Sequence, residues 1–144
     1  MKPENELTME FVSRSCNEAF ARAAVGAFIA PLDPNLEELS DIKTAVSEAV
    51  TNCIVHAYPE ESGEITLSCR VYPDRTVEIT VADQGVGIPD VSAARAPMFT
   101  TGGQDRSGMG FTIMEKFMSS LQVESQMGKG TTVTMTRRLQ ERKP

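Results

Sequence analysis

Apolar and polar residues alternate with a period of two in five short stretches of the chain, and apolar residues recur every three or four positions in three others. Leu7, Met9 and Phe11 alternate with Thr8, Glu10 and Val12, which predicts a first strand. Ile65, Leu67, Cys69 and Val71 predict a second, and Val77, Ile79 and Val81 a third. Pro73-Asp74-Arg75 between them predicts an antiparallel hairpin. The last two strands, at about residues 122–126 and 131–138, flank the turn Met127-Gly128-Lys129-Gly130. Ser15 and Glu18 have the spacing of a capping box, opening a helix that Pro31 stops. Asp33-Pro34 supplies an N-cap and an N1 proline for a long helix centred on residues 41–56. That helix carries Ile42, Val46, Ala49, Val50 and Cys53 on one face. Gly108-Met109-Gly110 opens a third helix through Phe111, Ile113, Met114 and Phe117. The pattern predicts an α/β two-layer sandwich, a mixed, mostly antiparallel sheet of about five strands with three helices on one face. A doubly wound fold fits less well, because parallel strands need helical crossovers and hairpins do not.

A chain of 144 residues predicts a single domain over 1–144, large enough to bury about two-thirds of its unfolded surface. Its formal net charge of −6 argues against nucleic acid as a partner, which would need a basic face. Arg137, Arg138, Arg142 and Lys143 read as a solvated tail. Cys16, Cys53 and Cys69 have no metal-ligand spacing, and the inward positions of Cys53 and Cys69 suit thiols kept reduced. The longest apolar run, residues 23–30, is far short of the roughly 20 residues a membrane span needs. No leader pattern opens the chain. The expected location is cytoplasmic, with no membrane partner.

Chemistry enters on the long helix. Glu48, Asn52 and His56 fall at i, i+4 and i+8, one polar stripe flanking the apolar one. Asn costs up to about 0.7 kcal/mol in a helix relative to Ala, so something other than helix stability accounts for Asn52. Three glycine motifs accompany the stripe: Asp83-x-Gly85-x-Gly87 after a strand, Gly108-x-Gly110 before a helix, and Gly128-x-Gly130-Thr131 in a turn. Glycines permit close backbone approach, and a helix opening with Gly-Met-Gly offers free N–H groups to a phosphate. Taken singly each has a plainer reading: Glu48 in a surface ion pair, His56 as a helix-end residue, Gly128-Lys129-Gly130 as a hairpin turn. Neither a Walker A motif nor GxGxxG occurs. Residues 97–107 lack periodicity and read as a functional loop such as a lid.

In order and context these motifs resemble the Bergerat ATP-binding fold over nearly the whole chain. The runs Ser47-Glu48-Ala49-Val50-Thr51-Asn52, Phe99-Thr100-Thr101 and Arg106-Ser107-Gly108-Met109-Gly110-Phe111-Thr112-Ile113-Met114 resemble the bacterial anti-sigma factor serine kinases, most of all the sporulation group. The resemblance implies that Asp83 accepts a hydrogen bond from the adenine amine, with Gly85, Gly87 and Thr131 around the base. It implies that Asn52 gives an oxygen to Mg²⁺, a hard cation that bridges phosphates. Ser107, Gly108, Met109 and Gly110 would hold the phosphates, with Thr100 and Thr101 in the lid. Glu48 would act as general base and Arg106 would stabilise the transferring phosphoryl group. ATP and ADP would be the nucleotides. The partners would be a sigma factor, held inactive, and an anti-anti-sigma factor phosphorylated on serine. The protein would be a homodimer, with Glu18, Arg22 and Thr51 as partner contacts. Two other readings stay open: a detached histidine-kinase-type catalytic domain, and a non-catalytic ATP-gated adaptor. The only histidine lies in the proposed site, and no acceptor or transducer region is visible, so the acceptor is expected on another protein.

Overall fold

The computed structural model describes residues 1–96 and 106–141, and of residues 106–109 the backbone alone. The five strands are β1 (Asn5–Val12), β2 (Glu64–Val71), β3 (Thr76–Asp83), β4 (Ser120–Gln126) and β5 (Gly130–Arg138). They form one sheet in the order β1-β2-β3-β5-β4. All four pairings are antiparallel, so the sheet is not mixed. The helices α1 (Cys16–Ile29), α2 (Leu36–Asn52) and α4 (Arg106–Phe117) pack on one face, α1 against β1 and β2, α2 against β3, and α4 against β4. Alternation then sorts the side chains. Ile65, Leu67, Cys69, Val77, Ile79, Val81, Val133 and Met135 point inward against Ala21, Val25, Ile29, Ile42, Val46, Val50 and Met114. Each fully buried Val, Leu, Ile or Met among them contributes about 1.5–3 kcal/mol. Among the described residues no helix is long and apolar enough to cross a membrane.

Helix boundaries depart from the pattern in five places, the simplest being that α4 opens at Arg106 rather than at Gly108. Ser15 precedes α1 but caps nothing with its side chain. Glu18 is drawn instead to α2, where its carboxylate accepts from Ser47 Oγ at 2.8 Å and pairs with Arg22 at 3.5 Å. Asp33 and Pro34 do not start α2. Asp33 takes a left-handed φ of 54° to close the 3₁₀ turn Ala30–Leu32, and α2 begins after Asn35. There a reciprocal capping box forms: Glu38 N–H donates to Asn35 Oδ1 at 2.7 Å, and Asn35 N–H donates to Glu38 Oε1 at 2.9 Å. The far end of α2 does not stay α-helical to residue 56. It widens after Asn52 into a π turn, Cys53–Ala57. A short helix that periodicity does not reveal, α3 (Val91–Arg95), is capped by Asp90, whose Oδ1 accepts from Ala93 N–H at 3.0 Å.

Candidate functional site

At one end of the sheet the apolar ladder turns polar. The cross-strand row behind it runs Leu67, Val81, Val133, Val123; the next runs Ile65, Asp83, Thr131, Ser125. Asp83 lands there because it continues the inward phase of Val77, Ile79 and Val81, and it is only 8% exposed. Its carboxylate is held from three sides. Oδ1 accepts from the backbone N–H of Gly85 at 3.0 Å and of Thr131 at 3.2 Å, and Oδ2 accepts from Cys53 Sγ at 3.4 Å. Burial first, and the neighbouring Asp83 second, push the Cys53 thiol well above its usual range, which keeps it protonated as the donor.

The glycines do what contact requires. A Cβ on Gly85 would lie 2.1 Å from the Ala57 carbonyl oxygen, so the loop presses on the π turn, and Val86 N–H donates to that oxygen at 2.9 Å. Gly130 has φ +116°, and a Cβ there would meet the Asp83 carbonyl oxygen at 2.1 Å. Above this floor opens a cleft of about 230 Å³ lined by Asn52, Cys53, His56, Asp83, Gly87, Ile88, Phe111 and Thr131 among others. Its walls are mostly apolar with a few convergent polar groups, the usual character of a small-molecule site. Asn52, the last residue of α2, faces α4. A Cβ on Gly110 would stand 3.0 Å from Asn52 Oδ1, so only glycine leaves the amide undisturbed. Glu48 lies one helical turn before Asn52, partly exposed and outside the cleft lining. His56 comes off the π turn onto the rim, where partial burial pulls its imidazole below the usual value.

Of the residues the sequence singles out, the structure brings Asn52, Asp83, Gly87 and Thr131 into one cleft, with Gly85 beneath it and Gly110 beside Asn52. The backbone of residues 106–109 forms the first turn of α4, so Arg106, Ser107, Gly108 and Met109 are located by main chain only. Thr100, Thr101 and the lid lie outside the described residues. Glu18 and Arg22 join Ser47 across α1 and α2, and Thr51 is next to Asn52 on α2, away from the cleft lining. Four contributors escape sequence reasoning: Cys53, the Ala57 carbonyl, Tyr58 and Ser125. Tyr58 Oη accepts from Gln84 N–H and donates to the Glu64 carbonyl, both at 2.8 Å. Ser125 was detectable, as the polar residue that ends the alternation of Leu121 and Val123.

Residues 13–137 match the family of histidine kinase-like ATPase domains. The chain is 53% identical to the anti-sigma F factor of Caldanaerobacter subterraneus subsp. tengcongensis, over 95% of this chain and 96% of that one. It is 55% identical to the anti-sigma F factor of Pasteuria penetrans, over 94% and 92%. Its fold matches the RsbU and RsbW domains of Rv1364c from Mycobacterium tuberculosis with a TM-score of 0.69 at 22% identity, covering 95% of this chain and 33% of that one. The blue-light activated histidine kinase of Erythrobacter litoralis EL346 matches with a TM-score of 0.59 at 28% identity, covering 74% and 32%.

Proposed function

The chain belongs to the anti-sigma F branch of the histidine kinase-like ATPase domains, and from that premise we propose that it binds ATP with Mg²⁺, restrains a sigma factor and phosphorylates a serine of an anti-anti-sigma factor. The observation that carries this reading is the buried Asp83 carboxylate, with Oδ1 tied to two backbone amides and Oδ2 to the Cys53 thiol, in the cleft that Asn52 also lines. An acceptor so placed suits the exocyclic amine of adenine and repels the oxo group of guanine. The mostly apolar walls take the base, and the first turn of α4 takes the phosphates at the positive end of its dipole.

Among the described residues no three His, Cys, Asp or Glu side chains converge. The Asn52 amide lines the cleft beside Gly110, and its oxygen would hold a Mg²⁺ ion together with phosphate oxygens, which fits a small cation that takes oxygen ligands and keeps several waters. When bound, it would neutralise charge on the transferring phosphoryl group. Glu48 takes the proton of the acceptor serine as its oxygen bonds to the γ-phosphorus. The bond from that phosphorus to the bridging oxygen breaks, and ADP leaves. Arg106 balances the charge on the moving group. Partner docking falls to the α1–α2 face bearing Glu18, Arg22 and Thr51, and the working form is a homodimer.

The test incubates the full chain with ATP, Mg²⁺ and the anti-anti-sigma partner. Phosphate on serine, stable to acid, is the expected product. Acid-labile phosphate would indicate a histidine acceptor, and no product a nucleotide-gated adaptor. Glu48→Gln should bind ATP with near-normal affinity by calorimetry and transfer phosphate about 10²–10⁴-fold more slowly. Wild-type transfer by that variant removes Glu48 as the base.

A further inference from the structure

Resting on the ATP reading above, we propose that Ser125 is a positioning residue that fixes the proton direction of the Thr131 hydroxyl and thereby sharpens the base preference of the cleft. Ser125 Oγ has three partners: Ile88 N–H at 2.7 Å, the Gly130 carbonyl oxygen at 3.2 Å and Thr131 Oγ1 at 2.8 Å. A serine hydroxyl has one proton and two lone pairs. Ile88 N–H can only donate, and the Gly130 carbonyl can only accept. The Ser125 proton therefore goes to Gly130, one lone pair receives Ile88, and the other is left for Thr131. All three contacts are satisfied together only when Thr131 donates to Ser125.

Once its proton is committed to Ser125, the Thr131 hydroxyl has only lone pairs to offer the cleft it lines. Asp83 Oδ2, to which Cys53 Sγ donates, is an acceptor too. The floor thus presents acceptors from two residues to whatever base edge settles on it. An exocyclic amine brings two N–H groups to such a floor, and an oxo group brings none. Without the Ser125 hydroxyl the Thr131 proton is released, free to turn toward the cleft and donate to an oxo group. The carboxylate is not the whole discriminator: through Ser125, β4 tunes the selectivity of β3 and β5 by holding one proton.

Calorimetry with the full chain and Mg²⁺ would compare ATP with ITP, which carries an oxo acceptor in place of the amine. The variants are Ser125→Ala, Ser125→Cys, Thr131→Val and the Ser125→Ala/Thr131→Val pair. Wild type is expected to prefer ATP, and Ser125→Ala to narrow the ATP/ITP ratio about tenfold, the size of one hydrogen bond made or withheld. Ser125→Cys, close in size but a weak donor and acceptor, should narrow it in the same direction and decides the matter if Ser125→Ala does not fold. The double variant should narrow the ratio no further than Thr131→Val alone, since Ser125 acts through Thr131. An unchanged ratio in a folded Ser125 variant, or effects that multiply in the double variant, overturns the proposal and leaves the ATP reading standing. Wild type that binds neither nucleotide overturns both.

Discussion

Gly85 illustrates how much a single missing side chain can decide. A methyl there would sit 2.1 Å from the Ala57 carbonyl oxygen, which is backbone and already receives Val86 N–H. Gly85→Ala must push the loop off the π turn and strain the Gly85 N–H that helps hold Asp83. Overpacking of this kind costs about 1–3 kcal/mol. The variant should melt at lower temperature and bind ATP at least about tenfold more weakly, since a loss of about 1.4 kcal/mol is tenfold. Gly128 makes the contrast: nothing lies within 4 Å of its would-be Cβ, and only its φ of +79° opposes a side chain. Gly128→Ala should cost stability alone. If thermal melts and calorimetry show the two variants alike, close contact is not what Gly85 provides. At this scale most of the site was legible. Asp83, Gly87 and Thr131 sit in turns and strand ends where each, taken singly, reads as an ordinary turn, and it is their order along the chain that pointed to one cleft. Cys53 was not, because its role depends on Asp83, 30 residues further on, and an inward thiol in a helix looks like any small apolar residue.

At the scale of elements, strands were easier to read than helix ends. A period of two with hairpin turns leaves little choice, whereas two cap signals two residues apart competed for the start of α2. Asp33-Pro34 satisfies the local rule, but Asn35 with Glu38 satisfies the reciprocal one and wins because Glu38 has a further duty. Its Oε2 accepts from Gln140 N–H at 2.7 Å, so a cap residue becomes the tie between α2 and the end of β5, only 2% exposed. Burial alone would raise the Glu38 carboxyl. The N–H donors of Gln140 and Asn35, with Arg137 and Arg75 nearby, outweigh it and hold the group below its ordinary 4.5. A carboxyl lowered by folding gives stability that is present above 4.5 and is lost as pH falls through the folded value. Glu38→Gln should therefore destabilise the protein by about 1–3 kcal/mol at pH 7 in urea melts and flatten the decline of stability below the ordinary glutamate range. A variant with the same acid slope as wild type would take Glu38 out of the acid response. The π turn lay beyond sequence reasoning for a similar reason: the apolar period runs on through Cys53, and it is Ala57 reaching Val86 and Cys53 reaching Asp83 that accompany the wider winding.

On the scale of the whole molecule, the β3–β5 register separates function from fastening. Asp83 pairs with Thr131 at one end and Thr76 with Arg138 at the other, roughly 24 Å apart along the strands. That pairing, between strands separated in sequence by α3, α4 and β4, could not be read from hairpin signals, which is why the expected sheet had the right strands without their order. The end away from the cleft is a clamp. Leu139 is buried and donates its N–H to the Arg75 carbonyl at 3.0 Å, and Arg137 reaches Asp41 at 2.8 Å and the Phe117 carbonyl at 2.6 Å. So the basic residues near the end, read as a solvated tail, include one that ties α2 and α4 to the sheet. A chain stopped after Arg138 loses the burial of Leu139, about 1.5–3 kcal/mol, and leaves Glu38 without its Gln140 partner. Because the cleft is at the opposite end, ATP affinity measured well below the melting temperature should stay within about twofold while the melting temperature falls, since effects at sites more than 7–10 Å apart usually add independently. A truncated chain that loses ATP affinity in step with stability would mean the clamp sets the position of Asp83 through the sheet, and the two ends would have to be treated as one unit.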